Sequence, residues 1–431
     1  MSAKSIITEN VSPSLIEKGS QKIAWAMSHM PIINELTKEY LDSKILSKCT
    51  IVTSIHMEAK TACLVIALAK LGAKVYATGC NPLSTQDDIA AALSKVHNVT
   101  VYAIHDCDEE TYWKMLVKAI SHRPHIIIDD GGDLVKLLHD ERYKKYGNRL
   151  IGGCEETTTG IHRLKNLERS KQLLFPMFNV NDADCKHNYD NHFGTGQSVV
   201  DGILRTTNLI IAGKTVVIAG YGDCGSGIAK RMHGLGAHVV ITEIDPIKAL
   251  KANMDGYLVM TMDEAAKIGD IFITATGCKD VIVRRHFYNM KNGAILANAG
   301  HFNVEINVAT LKEITDWSFE TTYFNPIRDN IKAYTLPDNK KLYLLSDGRL
   351  VNLAAADGHP VEIMDMSFSI QLLSVLHIAR SFLSSGKKFP PKLHSVPKYI
   401  DESVAKIALR AQGIRIDRLT NEQRSYLENG F

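Results

Sequence analysis

The run Lys214-Thr-Val-Val-Ile-Ala-Gly220-Tyr-Gly222-Asp-Cys-Gly225 limits the possible folds of this chain more than any other feature. A β-branched apolar strand stops at a glycine, glycines recur at GxGxxG spacing, and Ser226 to Leu235 can form a helix. The next apolar strand, His238-Val-Val-Ile-Thr, ends in Glu243. In such a layout the first glycine permits a tight turn and the second lets backbone approach a pyrophosphate. The third lets helix and strand pack closely, so the helix N-terminus meets the phosphates. The acid hydrogen-bonds a ribose 2′-OH and repels a 2′-phosphate. Strand, fingerprint, helix, strand and acid in that order read as a site for NAD rather than NADP, with Lys248 close enough to weaken the preference. A merely structural glycine turn is the alternative.

At 431 residues the chain is too long for one core and should form two or three domains. With 45% hydrophobic and 23% charged residues it has ordinary globular composition. A net charge of +3, without a basic run carrying interleaved aromatics, argues against nucleic acid or a membrane surface as partner. No uninterrupted apolar run reaches the ~18 residues of a membrane span, and the first ten residues lack the apolar core of a signal peptide. The eight cysteines never form CxxC, which suits reduced thiols and no zinc site. A cytoplasmic location without a structural metal is the expectation.

Residues 1–45 read as helical. A βα alternation then begins with strands expected at Ile51–Ile55, Ala73–Thr78, Val99–Ile104, His125–Asp129 and Arg149–Gly152, and helices at Thr61–Lys70 and Gln86–Ser94. A second series starts at Lys214 and continues through His238–Glu243, Tyr257–Met260, Ile271–Thr276 and Ala294–Ala297. It closes with a hairpin at Ala333–Leu345 around Pro337-Asp-Asn-Lys340. A long helix from Ile363 to Ser385, a break at Lys387–Pro397 and a helical tail follow. The pattern predicts an α/β protein with two doubly wound parallel-sheet domains, the second a Rossmann unit. In such sheets ligands bind beyond the carboxyl ends of the strands.

Polar clusters fall at those ends. Lys186 and Asp190 would be i and i+4 on one helical face, where a lysine beside a carboxylate can deprotonate an alcohol about to lose hydride. A solvated ion pair is the alternative. Glu155-Glu156-Thr-Thr-Thr159 suits recognition of sugar hydroxyls or a capped helix start, and Asp129–Asp130 is open in the same way. His301 and His56 follow strands of the two domains, so they can face each other across a cleft as acid and base. His187 and His192 read as ordinary surface residues.

Together these segments resemble S-adenosylhomocysteine hydrolase. The motifs are Asn81-Pro-Leu-Ser-Thr-Gln-Asp-Asp88, Asp129-Asp-Gly-Gly-Asp-Leu134, Glu155-Glu-Thr-Thr-Thr-Gly160, Gly220-Tyr-Gly-Asp-Cys-Gly225, Thr242-Glu-Ile-Asp-Pro246, Gly300-His-Phe302 and Val351-Asn-Leu…Gly358-His-Pro360. The resemblance spans about His56 to Ser385. It implies a substrate domain (1–190 plus 355–395), an inserted NAD domain (191–354) and a tail (396–431) making oligomer contacts in a homotetramer. It also implies oxidation of a ribose 3′-OH by tightly held NAD⁺, loss of the C4′ proton, expulsion of homocysteine, addition of water and re-reduction.

By resemblance Lys186 and Asp190 handle the 3′-OH, while Glu156 and Thr157 hold the ribose. His56 and Asp130 serve C4′ proton transfer and water activation. His301 and His359 line the site, with Phe302 as a gate. Thr61, Gln86, Asp357, Met364 and Phe368 complete the substrate pocket. Thr157, Thr158, Thr159, Asn191, Gly220, Gly222, Asp223, Cys224, Gly225, Glu243, Lys248, Thr276, Gly300 and Asn352 contact NAD.

Two departures stand out. The familiar eukaryotic form has Thr and Glu where this chain has Glu58 and Lys60, and Met where it has Asp357. Glu plus Thr complements adenine. Lys60 donating to O6 and Glu58 accepting from N1–H would match hypoxanthine, so the substrate is an S-adenosyl or an S-inosyl thioether. Otherwise Glu58 and Lys60 pair with each other and adenine is tolerated. The chain also ends without the Lys- and Tyr-bearing tail of many relatives, from which faster cofactor exchange is expected. A plain NAD-dependent dehydrogenase and a non-catalytic NAD-binding regulator are the distant alternatives.

Overall fold

Short apolar runs become strands here because both of their faces are covered. Ile51 and Val52 in one strand, and Ile126, Ile127 and Ile128 in its neighbour, are all fully buried, the pattern of a parallel sheet between helical layers. The computed structural model describes residues 12–315 and 328–430, and the helical expectation for residues 1–11 lies outside them. The described chain first forms the strands Thr50–Ser54 (β1), Lys74–Thr78 (β2), Val99–Tyr102 (β3), Ile126–Asp129 (β4), Gly152–Glu155 (β5) and Met177–Asn179 (β6). It then forms Thr215–Ala219 (β7), His238–Thr242 (β8), Leu258–Val259 (β9), Ile271–Thr274 (β10), Ile295–Asn298 (β11), Ile331–Thr335 (β12) and Lys341–Leu345 (β13), and Leu393–Ser395 (β14) comes last.

Two seven-stranded sheets result, in the orders β14-β6-β5-β4-β1-β2-β3 and β12-β13-β11-β10-β7-β8-β9. Every pairing is parallel except the β12–β13 hairpin. The strand order reverses between β1 and β4 in the first sheet and between β7 and β10 in the second. These are the positions at which such sheets open a crevice.

Three sequence expectations shift. The strand expected at Arg149–Gly152 lies at Gly152–Glu155, because Lys144–Arg149 winds into a 3₁₀ turn and Ile126 pairs with Gly152. Gly-Gly-Cys-Glu carries no β-propensity signal, yet the strand sits where only glycine fits. A Cβ on Gly153 would stand 2.5 Å from Ile127 Cγ1 and 2.6 Å from Met177 Sδ. Next, β6 was not expected, and β14 arises inside the supposed break and pairs with β6 (Leu393 with Met177). Third, the helix Lys398–Ala411 buries Ile400, Val404 and Ile407 in the first core, so any free tail begins later than residue 396.

The long helix Val361–Ser385 is the one described helix with the length and composition of a membrane span. Here it is a core element: Phe368, Ile370, Leu372 and Val375 pack in the same cluster as Ile51 and Leu64. Gly153→Val is expected to lower the unfolding free energy by about 1–3 kcal/mol through overpacking, measured by urea denaturation.

Candidate active site

The carboxyl ends of both sheets face one cavity of about 770 Å³. On the nucleotide side, Gly220 takes φ +96° and passes so close to β10 that a Cβ would lie 2.6 Å from the Ala275 carbonyl. Gly222 precedes the helix Asp223–Gly234 with nothing within 4 Å of its Cβ position, an open cradle at a helix N-terminus. A Cβ on Gly225 would stand 2.0 Å from the Gly220 carbonyl, so this glycine serves helix–strand packing and does not line the cavity.

Glu243 is fixed by backbone donors: Tyr221 N–H reaches Oε2 at 2.7 Å, and Ile244 N–H reaches Oε1 at 2.7 Å. Lys248, Asp223 and Cys224 line the same half. Thr276 donates its N–H (3.0 Å) and hydroxyl (2.8 Å) to Glu305. Glu305 is a buried acid that no local motif marked; burial raises its pKa. Gly300 donates to Asn298 Oδ1 at 2.7 Å. Asn352 donates to Ser198 Oγ at 3.1 Å, but its buried Oδ1 has no partner. An unsatisfied buried acceptor costs roughly 1–3 kcal/mol unless a ligand donor meets it. That orphan, the open helix terminus and the fixed acid fit a bound NAD.

A buried charged cluster grows from a local irregularity. Asp184–Lys186 is one turn of α-helix, and His187–Gly194 continues as π-helix. The wider turn lets Lys186 Nζ reach Asp190 Oδ2 at 3.4 Å and Asn191 Oδ1 at 2.8 Å, so residues i+4 and i+5 serve the same ammonium. The α-helix expected from sequence would have turned Asn191 away. Such π-segments are frequent at functional sites. Glu156 Oε1 lies 3.9 Å from Lys186 Nζ and has no hydrogen-bond partner, while Oε2 accepts from Gln371. Asp190 also accepts from Ser367 at 2.9 Å and pairs with His359, whose other ring nitrogen sits 3.3 Å from Thr195 Oγ1.

Electrostatics sorts these groups. Burial opposes the Lys186 charge, but Asp190 and then Glu156 outweigh it and hold the ammonium above the ordinary lysine range. Burial likewise opposes ionisation of Asp190, and Lys186 and His359 outweigh it, holding the carboxylate well below its usual range. Burial pushes Glu156 up to about 8 against the pull of Lys186. Lys186 and Asp190 therefore stay charged, and Glu156 is the member that takes up a proton as pH falls.

A second group faces this cluster. His56 Nε2 lies 3.5 Å from Asp130 Oδ2, and His301 Nδ1 lies 3.7 Å from Asp130 Oδ1. His56 Nδ1 sits 2.6 Å from Ser84 Oγ. Burial drops the His56 pKa to about 4, with Asp130 pulling the other way, so its imidazole is neutral near pH 7. Gly131, at φ +106°, admits His301: a Cβ there would stand 2.4 Å from Nε2. Arg163 covers the Phe302 ring at 4.6 Å.

Both acidic pairs split. Asp130 and Glu156 line the cavity, while Asp129 and Glu155 lie beneath it, accepting from Val135 N–H and from Gly131 and Thr157 N–H. Thr157, Thr158 and Thr159 begin the helix that borders the cavity.

At one edge of the cavity Glu58 lines the space and pairs with Lys60, the alternative named above, while Asp357 and Gln86 depart from expectation. Glu58 is the N-cap of the helix Ala59–Lys70 and accepts from Lys60 N–H (2.9 Å), Thr61 N–H (3.1 Å), Thr61 Oγ1 (3.3 Å) and Lys60 Nζ (2.8 Å). Four donors fill a carboxylate's acceptor sites, so Glu58 is committed to its own helix. Asp357 turns its side chain outward to Arg205 at 2.7 Å and offers only its carbonyl, which Lys60 Nζ contacts. Gln86 accepts from Lys22 at 3.0 Å and does not line the cavity. Met364 and Phe368 do line it. His187, expected on the surface, also borders the cavity, 3.2 Å from Asp223. Gln371 and Ser367 were missed; a polar pair at i and i+4 inside an apolar helix was their one signal.

Family models described as S-adenosyl-L-homocysteine hydrolase and as its NAD binding domain match residues 11–146 and 191–358. An S-inosyl-L-homocysteine hydrolase of Methanocaldococcus jannaschii is 52% identical over 96% of this chain and 97% of its own. An adenosylhomocysteinase of Thermotoga maritima is 52% identical over 95% of this chain and 99% of its own. An S-inosyl-L-homocysteine hydrolase of Methanococcus maripaludis is 50% identical over 96% and 97%.

The depressed His56 pKa has a consequence for stability. The neutral ring's contribution is complete above about pH 6.5 and is withdrawn as pH falls toward about 4. Relative to His56→Gln, the wild type is expected to lose about 3 kcal/mol more unfolding free energy across that window, measured by denaturant titration at several pH values.

Proposed function

This chain belongs to the S-adenosyl-L-homocysteine hydrolase family, and on that premise we propose that it hydrolyses S-adenosyl-L-homocysteine to adenosine and L-homocysteine with NAD as a recycled cofactor. The observation that carries the proposal is the pairing, in one cavity, of a dinucleotide fingerprint with two separate proton-transfer groups: Lys186–Glu156–Asp190 and His56–Asp130–His301. Alcohol oxidation alone needs one such group. A second is required when a C–H proton must also leave and water must be activated, which argues against a simple dehydrogenase and against a non-catalytic regulator.

NAD, when bound, supplies reversible hydride acceptance at an alcohol carbon. Gly220, Gly222, Asp223, Cys224, Glu243, Lys248, Thr276, Gly300, Asn352, Asn191 and Thr157 to Thr159 would hold it. The Lys186 ammonium, kept charged by Asp190, donates to the ribose 3′-oxygen and steadies it as its proton leaves. Ionised Glu156, its Oε1 free beside Lys186, accepts from the ribose hydroxyls, takes up the 3′-proton and returns it on re-reduction. His56, neutral at pH 7 with Nε2 toward Asp130, takes the C4′ proton and hands it to the leaving sulfur. His301 and Phe302, backed by Arg163, close the cavity against bulk water.

One observation favours a second substrate. Lys60 spends two of its three donors on Glu58 and the Asp357 carbonyl, leaving one ammonium N–H. Hypoxanthine presents an acceptor at its 6-position, whereas adenine presents an amino donor. Lys60 alone, rather than Glu58 with Lys60, therefore distinguishes the bases, and S-inosyl-L-homocysteine is the alternative substrate. Two of the relatives named above carry that activity in their names.

We also propose a homotetramer in the cytoplasm. Gln412–Gly430 is exposed throughout, with Ile416, Tyr426 and Leu427 each about two-thirds open to solvent, and Ile247, Leu250 and Met254 form an uncovered stripe on the helix Pro246–Met254. Other copies of the chain would cover both. All eight cysteines are unpaired, which suits a reducing compartment.

Thiol release from the adenosyl and inosyl thioethers, assayed in parallel with NAD-loaded protein, tests the substrate. Release from the adenosyl compound is the expected result. Preference for the inosyl compound, reduced about ten- to hundredfold in kcat/KM by Lys60→Met, is the outcome that favours the alternative. No thiol from either overturns both.

A further inference from the structure

We infer that Ser367 and Gln371, one turn apart on the long helix Val361–Ser385, are positioning residues that fix how the two cleft carboxylates, Asp190 and Glu156, present themselves to substrate. The inference rests on the nucleoside-thioether reading for its assay, and nothing in the family motifs marks these two positions.

Both side chains are fully buried. At i and i+4 they share one helical face, and the helix is anchored by Phe368, Ile370, Leu372 and Val375 in the core. From that face Ser367 Oγ donates to Asp190 Oδ2 at 2.9 Å and Gln371 Nε2 donates to Glu156 Oε2. Asp190 and Glu156 come from separate segments, the π-helical turn and the end of β5, so one rigid rod registers two independent pieces of the site.

The Gln371 contact has a chemical direction. An amide N–H favours an ionised carboxylate over a protonated one. With Oε2 occupied, the partnerless Oε1 of Glu156 is left as the acceptor facing Lys186 and the cavity. Gln371 leaves its own Oε1 buried and without a partner, an arrangement that serves its neighbour rather than itself. Burial drives Glu156 toward protonation, and Gln371 is among the groups pulling it back. A protonated Glu156 would offer a donor to a ribose hydroxyl that needs an acceptor.

The test is Gln371→Met, which keeps length and volume but removes the donor. The readout is the pH profile of kcat/KM for thiol release by NAD-loaded enzyme. Activity requires ionised Glu156, so it is lost as pH falls through that pKa; removing a donor to the charged form raises the pKa. The acidic limb should move up by about one pH unit, with KM raised and NAD content unchanged. An unmoved limb overturns the proposal. A limb moved to lower pH also overturns it, since the amide would then present its carbonyl to a protonated Glu156.

Ser367→Ala removes one hydroxyl and tests the other half even if the Met variant does not fold. It should lower kcat/KM about tenfold in protein that remains folded with unchanged NAD content, and a value within about twofold of wild type overturns the Asp190 half. Failure of the wild type itself to release thiol would instead count against the substrate assignment.

Discussion

One buried ammonium organises this molecule. Lys186 is about 4% exposed, and an unpaired charge there would cost several kcal/mol. The chain answers with Asp190 from the same turn, Glu156 from the end of β5, and the side-chain oxygens of Asn181 and Asn191. Those counter-groups are themselves buried and need donors, which Ser367, Gln371 and His359 supply. The turn that carries Lys186 is capped from outside by Asp401, whose carboxylate accepts from Asp184 and Cys185 N–H at 2.6 and 2.8 Å. Charge satisfaction thus ties the first sheet, the long helix and the helix Lys398–Ala411 into one site.

The two sheets divide the chemistry by topology. Each reverses its strand order once, and each reversal contributes half of the cavity: His56 and Asp130 follow β1 and β4, and the glycine fingerprint and Thr276 follow β7 and β10. The halves meet through side chains, as where Arg349 donates to Asn81 at 3.3 Å, and also where a side chain is missing, as where Gly131 admits His301. Acid–base groups from different domains become neighbours because the backbone between them has been thinned.

At the Glu58–Lys60 edge of the cavity, hydrogen-bond donors are again almost fully used. Glu58 lines the cavity, caps its own helix and pairs with Lys60. Lys60, held between that cap and the carbonyl of Asp357, keeps one donor. The outward pair of Asp357 with Arg205 is exposed and contributes little stability.

Much of this was legible in the chain itself. The fingerprint, the alternation of apolar runs with helical patterns and the acid closing β8 fix two parallel sheets and NAD, because backbone sterics, periodicity and phosphate chemistry act locally. Strand-end position also picked out His56, Asp130, Glu156 and His301, and i, i+4 spacing picked out Lys186 with Asp190. Other features depended on groups far apart in sequence. Glycine-rich β5 is a strand only because β4 and β6 flank it, and β14 only because β6 has a free edge. Asp129 and Glu155 look equivalent to the acids beside them until the fold buries one of each pair beneath the sheet. The π-helical turn follows from a charge that needs partners at two spacings at once. Gln371 and Ser367 acquire their roles from packing the long helix against segments some 180 to 215 residues earlier in the chain. Local sequence determined which elements form and which cofactor they suit. Tertiary structure alone decided which polar groups share a proton, because that depends on desolvation and distance.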